Sequence, residues 1–365
     1  MESLDLIGDR ERFWRGKRVL VTGHTGFKGA WLTLWLHRLG AEVAGFALPP
    51  SPGPNAFALA RLDEISRSEF GDIRDPGRLD ATFAHHRPEI VFHLAAQALV
   101  RAGYADPLGT YETNAIGTAN VLMAARARSG VRAVVVVTSD KCYDEHAGSR
   151  RHREDDPLGG DDPYSASKAC AEHITAALRA TWAGDRATPH LRVATARAGN
   201  VIGGGDWSPD RLVPDAVAAF ASTSTLSIRN PDAVRPWQFV LDPLSAYLDL
   251  ARILALDDGA PYARAWNFGP PEESERTVAF LATTLAARWG NGAAWRAEPG
   301  GHPPERRALR LDSSAAAAAL GWRTRVDLES ALERTVMWYR AFEQGRHVRE
   351  LMSGEIERYE KVRAA

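Results

Sequence analysis

Apolar positions in the first half of the chain follow two alternating rhythms. Arg18-Val-Leu-Val-Thr22, Glu42-Val-Ala-Gly-Phe46 and Glu89-Ile-Val-Phe-His-Leu94 are short β-rich runs. Val131-Arg-Ala-Val-Val-Val-Val137 is more continuous, as expected of a strand covered on both faces. Helical spacing fills the gaps at Ala30–His37, Asn114–Ala127 and Ser165–Ala180. Strands alternating with helices predict an α/β fold built on a doubly wound parallel sheet. After about residue 200 the rhythm changes. Gly203-Gly-Gly-Asp-Trp-Ser-Pro209 and Pro231–Trp237 are loops, helices are expected near 242–256, 275–289 and 327–344, and Ala315–Ala319 extends a short helix. Residues 1–200, with a return near 239–266, are therefore expected to form the sheet domain. Residues 201–365 form mainly a smaller C-terminal lobe over the carboxyl edge, where open α/β sheets bind ligands.

Charge narrows the partners. The 45 basic and 46 acidic side chains leave a net charge of -1, which gives no footprint for nucleic acid or an anionic membrane. Two cysteines, Cys142 and Cys170, are too few for a disulfide framework or a multi-thiolate zinc site, so a reducing, cytoplasmic setting and no metal are expected. Met1-Glu-Ser-Leu-Asp-Leu6 lacks the pattern of a signal peptide. No apolar run reaches the roughly 20 residues of a membrane helix. Only five of the basic residues are lysine (Lys17, Lys28, Lys141, Lys168 and Lys361). A chain that prefers arginine this strongly keeps lysine where a compact, shiftable ammonium is of use.

The chemistry-bearing motifs sit between those elements. Gly23-His-Thr-Gly-Phe-Lys-Gly29 follows the first strand and opens the first helix, where glycines permit a tight turn and close approach to a pyrophosphate. A plain turn can have the same composition, so the strand and helix around it carry the reading. Phe46-Ala-Leu-Pro-Pro50 holds neither the acid nor the arginine that would separate NAD from NADP. Gly71-Asp-Ile-Arg-Asp75 is an acidic turn that fits an adenine contact or, at Asp75-Pro76, a helix start. Tyr164 and Lys168 stand one helical turn apart on one face. A phenol near pKa 10 becomes a usable base beside a cation. Thr138-Ser-Asp-Lys-Cys-Tyr143 follows the most apolar strand, so Ser139 can bind a substrate hydroxyl and Asp140 can serve as a general acid. A solvated turn with a weak Asp-Lys pair is the plainer alternative.

Together these segments resemble the extended short-chain dehydrogenases/reductases. Leu94-Ala-Ala-Gln97, Asp162-Pro-Tyr-Ser-Ala-Ser-Lys168, Arg197-Ala-Gly-Asn200 through Trp207, Arg235-Pro-Trp-Gln-Phe-Val-Leu241, Asn267-Phe-Gly-Pro270 and Trp338-Tyr339 extend the likeness over most of the chain. The Asn200 and Trp237 motifs narrow it to the CDP-glucose 4,6-dehydratases. The resemblance implies a Rossmann domain, bound NAD, a nucleotide-sugar substrate and a homodimer or higher homo-oligomer. It implies cofactor contacts from Gly23, His24, Thr25, Gly26, Phe27, Lys28 and Gly29, and from Asp72, Ile73, Leu94, Ala95, Ala96, Asn114, Thr138, Tyr164, Lys168 and Arg197. Substrate contacts fall to Gln97, Asn200, Arg211 and Arg235, and catalysis to Ser139, Asp140, Lys141, Tyr164 and Lys168. In the implied reaction a C4 hydride moves to NAD, water leaves across C5 and C6, and the hydride returns to C6. Lys141 stands where the dTDP-glucose branch has a glutamate base, so it acts either as a neutral amine or as a cation beside an enolate. A 4-epimerase or another nucleotide-sugar enzyme of the same group is the alternative, although an epimerase has no use for the Asp140 acid. Phe239, Gly103 and His152 depart from the family pattern at positions expected around the substrate.

Overall fold

The computed structural model describes residues 10–144, 150–183, 190–298 and 308–362. Met1–Leu6, read above for a signal peptide, lies outside them. Seven strands form the central sheet: β1 (Arg18–Thr22), β2 (Glu42–Ala47), β3 (Arg67–Phe70), β4 (Ile90–His93), β5 (Ala133–Val137), β6 (Arg192–Ala198) and β7 (Ala265–Phe268). Their order is β7-β6-β5-β4-β1-β2-β3, and every pairing is parallel. The order reverses between β1 and β4, and that point is where a doubly wound sheet opens its ligand crevice. All five residues of β5 are buried, so the unbroken Ala-Val-Val-Val-Val run is covered on both faces.

Helix α1 (Phe27–Arg38) is a buried crossover, with Trp31 and Trp35 both fully enclosed. Each indole N–H finds a partner across the core: Trp31 donates to the Gly204 carbonyl at 3.0 Å, and Trp35 to Glu360 at 2.7 Å. α2 (Pro76–His86) starts at Asp75, whose carboxylate accepts from the Arg78 amide at 3.0 Å, with Pro76 in the first turn. α3 (Gly117–Arg126) continues from a π-helical turn at Glu112–Ile116. α4 (Pro163–Trp182) is capped by Asp162 and carries both Tyr164 and Lys168.

The second half supplies α5 (Leu212–Ala221), α6 (Leu241–Ala255), α7 (Val278–Trp289), α8 (Leu328–Glu343) and α9 (Val348–Lys361). It also supplies three two-stranded pairs. Val201–Ile202 pairs with Gln238–Phe239, Val234–Pro236 with Glu275–Thr277, and Leu226–Ile228 with Trp295–Ala297. α6 and β7 return to the sheet, whereas α5 and α7 pack on each other beside its carboxyl edge. The four-residue β3 was not marked by any apolar rhythm, because Arg67-Ser-Glu-Phe70 is an edge strand with no buried residue.

Candidate active site

A cleft of roughly 310 Å³ opens at the carboxyl ends of the strands, between the sheet and the second-half elements. Its floor begins with the turn after β1. Gly23 adopts φ +75°, and a Cβ there would meet the Ala95 amide nitrogen at 2.6 Å. A Cβ on Gly29 would fall 2.0 Å from the Gly23 carbonyl. Glycine is thus required at both places for the loop to lie against β4 and turn into α1. α1 has no side-chain cap and no acid in its first turn. Its leading amides are left for an anion, which the helix dipole also favours. These features fit the pyrophosphate of a dinucleotide.

Other residues expected at the cofactor divide into two groups. Lys28, Leu94, Ala96, Thr138, Tyr164 and Lys168 line the cleft. Thr25 donates to the Leu48 carbonyl at 3.1 Å, Phe27 comes within 3.6 Å of where a Gly203 Cβ would stand, and Ala95 backs Gly23. Asp72 lies two residues beyond β3 with its carboxylate held by Arg74, which keeps it below the usual carboxylate range. Ile73 is buried, with its side chain against Gly117.

Four of the residues expected at the cofactor or substrate have side chains already engaged within the fold. The His24 ring is core rather than loop surface: it is fully buried over Gly45, edge-on to Phe57, and burial lowers its pKa to about 4. Asn114 clamps the chain. Its carbonyl accepts from the Gln97 amide at 2.8 Å, and its amide donates to the Gln97 carbonyl at 2.9 Å and to Ser167 at 2.8 Å. Gln97 is equally committed, donating to Thr110 at 3.0 Å and accepting from the Leu99 amide at 2.6 Å. Arg197 is only 3% exposed and points into the core, where it meets Glu172 at 2.8 Å and the Tyr143 hydroxyl at 2.7 Å. Gln97, Asn114 and Arg197 are all absent from the cleft lining.

The reactive cluster is built where β5 ends and α4 begins. Ser139, Asp140, Tyr164 and Lys168 are each no more than 9% exposed, and Lys141 joins them on the cleft wall. Ser139 caps the short turn Asp140–Cys142 by accepting from the Lys141 amide at 3.2 Å, and donates to Asp140 at 3.0 Å. Burial pushes the Tyr164 phenol up to about 12, against the downward pull of the Ser139 hydroxyl and of Arg211. Burial lowers Lys168 to about 8, opposed by the Glu172 carboxylate one turn away. The Lys168 ammonium reaches the Val137 carbonyl at 3.4 Å. The sequence expectation was a phenol lowered by its lysine neighbour. Desolvation outweighs that effect here, and Arg211 is a cation acting on the phenol.

Asn200, Arg211 and Arg235 also line the cleft, as do three residues that the motifs did not single out for it: Arg101, Asp210 and Asn230. Arg229 also lines the cleft and pairs with Asp210 at 3.4 Å, while Arg101 meets the same carboxylate at 2.7 Å. Their signal was visible only as scattered arginines on separate segments, which nothing but folding brings together. The departures at Phe239 and His152 lie off the cleft lining. Phe239 is 1% exposed, and the His152 ring stacks on Tyr143 at 4.6 Å, neither of them on the cleft. Gly103 lets its helix approach α4, since a Cβ there would sit 3.2 Å from the Tyr164 amide.

Comparison with known proteins adds to this geometry. The NAD dependent epimerase/dehydratase family matches residues 19–262. CDP-glucose 4,6-dehydratase of Salmonella typhimurium is 44% identical, covering 96% of this chain and 98% of that protein. UDP-glucose 4-epimerase of Mycolicibacterium smegmatis is 28% identical over 88% of this chain and 98% of its own. Among solved structures, the dTDP-glucose 4,6-dehydratase DesIV of Streptomyces venezuelae, with NAD and TYD bound, superposes with a TM-score of 0.74. It is 28% identical and covers 90% of this chain and 98% of that one.

Proposed function

The chain belongs to the NAD dependent epimerase/dehydratase family, and on that premise we propose that it is a CDP-glucose 4,6-dehydratase yielding CDP-4-keto-6-deoxyglucose. The observation that carries this reading is Asp140, a buried carboxyl on the cleft wall beside Ser139 and across from Tyr164. A dehydration needs an acid for its leaving hydroxyl, and an epimerisation does not.

The glycine loop, the open first turn of α1, Thr138 and Lys168 would hold the cofactor. NAD held there would supply acceptance of hydride from C4 and its return to C6, and a positive charge that favours the phenolate of Tyr164. Ser139 hydrogen-bonds the C4 oxygen while Tyr164 removes its proton. Asp140 donates a proton to the C6 hydroxyl, which leaves as water as the C6–O bond breaks, while the C5 proton passes to a base, Lys141 if it is neutral, and the C5–C6 double bond forms. Lys141 stands beside that centre as amine or cation. Arg211 and Arg235, with Asn200, hold the nucleotide diphosphate, for which a guanidinium fork is suited. In this arrangement residues 1–200, with the return near 239–266, carry the dinucleotide, and 201–365 mainly close over the nucleotide sugar.

A homodimer is supported by Leu108, Ile116 and Met123. They stand 75%, 55% and 52% exposed along the segment leading into and through α3. Cys142 and Cys170 are both free, in keeping with a cytoplasmic protein. No described helix is long and apolar enough to cross a membrane.

The test is to offer CDP-, dTDP-, UDP- and GDP-glucose without added reductant and to weigh the products. Loss of one water from CDP-glucose is expected. Absence of any mass change would leave an isobaric epimerisation in its place. Asp140→Asn should keep the cofactor bound and still oxidise C4, while water loss slows about 10²-fold or more. Turnover at the parental rate would remove the acid role from Asp140.

A further inference from the structure

Lys28 is the second residue of α1, and its side chain lines the cleft. Its ammonium lies 5.8 Å from the centre of the Tyr247 ring, and among the described residues no carboxylate or carbonyl accepts from it. The groups that face it come from every side. Lys168 approaches from α4, Arg211 from the residue before α5, Asp140 from the turn after β5, and Tyr247 from α6. Two of its three charged neighbours are therefore positive. Burial, with Lys168 and Arg211 adding to it and Asp140 opposing, lowers the ammonium to about 7.

An ammonium crowded by cations on the wall of a cleft is costly unless something negative joins it. The feature beside it is the uncapped start of α1, whose amides also lack a partner of negative charge. Both are satisfied by one ligand chemistry, a diphosphate. The residue type fits as well. In a chain with 45 basic residues and only five lysines, this position holds the cation that can lose its charge near neutrality; an arginine could not.

We propose that Lys28 is the proton-accepting cation of a diphosphate subsite, so that diphosphate binding at the start of α1 is coupled to protonation of its amine. The proton passes from solvent to the Nζ lone pair, one N–H bond forms, and no electron is exchanged. The proposal rests on the nucleotide-sugar reading above and adds a proton to its binding equilibrium. Either the dinucleotide or the nucleotide sugar can supply the diphosphate.

The experiment is calorimetric titration of the full-length chain, cleared of nucleotide, in buffers of different ionisation enthalpy at pH 6, 7.5 and 8.5. NAD and CDP serve as separate probes. Uptake of a large part of one proton is expected at the two higher pH values and little at pH 6, where Lys28 is already charged. The dissociation constant should rise by up to about tenfold per pH unit above 7. Lys168, at about 8, contributes its own share, and that share persists in a Lys28 variant. Lys28→Arg should therefore still bind, with the uptake at pH 7.5 cut by more than half and a flatter pH dependence. Lys28→Met should lose the same protons and bind more weakly. Uptake with NAD assigns the subsite to the cofactor, and uptake with CDP assigns it to the substrate. Binding of both probes without proton uptake, or with equal uptake in parent and Lys28→Arg, overturns the proposal alone. A chain that binds neither probe overturns the functional reading along with it.

Discussion

Two clusters of buried charge lie one helical turn apart on α4, and they are built on opposite terms. Around Glu172 every charge is answered. Its carboxylate accepts from Thr138 at 2.5 Å, Thr195 at 2.7 Å and Arg197 at 2.8 Å, and Arg197 also reaches the Tyr143 hydroxyl, which donates to Asn267 at 2.7 Å. Glu172 is accordingly held below the usual carboxylate range in spite of burial, and Arg197 above the usual range for arginine. Around Lys28 the cations are crowded, and burial drives both Lys28 and Lys168 down towards neutrality. One cluster ties α4 to the ends of β5 and β6. The other leaves its charge imbalance facing a cleft. The difference separates charge that holds the scaffold from charge that waits for a ligand.

The sharpest way to break this comparison is to remove one member of the answered pair. Arg197→Met strands the Glu172 carboxylate in a site it cannot leave, at a cost of roughly 3–5 kcal/mol. Denaturant unfolding should show that loss, and the double change Arg197→Met with Glu172→Leu should recover most of it, because two apolar groups replace two charges. A mild single variant would mean that Glu172 is less enclosed than its 3% exposure indicates.

Asp242 at the start of α6 falls between the two cases. One of its oxygens accepts from the Arg325 amide at 2.7 Å and from Tyr359 at 2.8 Å, while the other is buried without a partner. Burial raises it to about 7. A carboxyl whose folded pKa lies above its unfolded value adds nothing below pH 4. It subtracts stability as pH rises towards 7, where the unfolded chain ionises and the folded one does not. Asp242→Asn keeps the accepting oxygen. It should leave stability unchanged near pH 4 and raise it by roughly 2 kcal/mol above pH 7. A gain independent of pH would mean that Asp242 is not the titrating group.

These two clusters were not equally legible from the residues. The glycine loop, the Tyr164–Lys168 spacing and the turn after β5 are local patterns, and local patterns survive without a fold. Arg197 looked like a cofactor residue because it lies in a recognisable segment, yet the direction of its side chain is decided by Glu172, 25 residues earlier. Gln97 and Asn114 sit beside true cleft residues, and their amides satisfy one another across 17 positions. Pairing over such distances leaves no periodic trace. The same holds for the arginines at 101 and 229, which converge on Asp210 from two segments. His24 shows the limit of motif reading most directly. It lies inside the glycine loop, but Gly45 of β2 opens the space that draws its ring into the core.

Lys168 offers the mirror image of the Arg197 experiment, with the opposite sign and the smallest effect. A lysine whose folded pKa lies below its unfolded value is charged at a cost throughout the range below about pH 8. That cost fades as pH climbs from 8 towards the ordinary lysine value, where the unfolded chain loses its proton too. Lys168→Met removes a cation that has only a 3.4 Å carbonyl contact and the nearby Glu172 charge in its favour. The stem stays apolar and of similar length. Stability should rise by roughly 1 kcal/mol at pH 7 and converge on the parent near pH 10, while dehydration of the sugar nucleotide is lost. Thermal unfolding at both pH values, run beside the activity measurement, reads the two effects separately. A variant that is less stable at pH 7 would place Lys168 with Glu172 among the charges that hold the scaffold, and the division of α4 into a paired and a waiting cluster would fail.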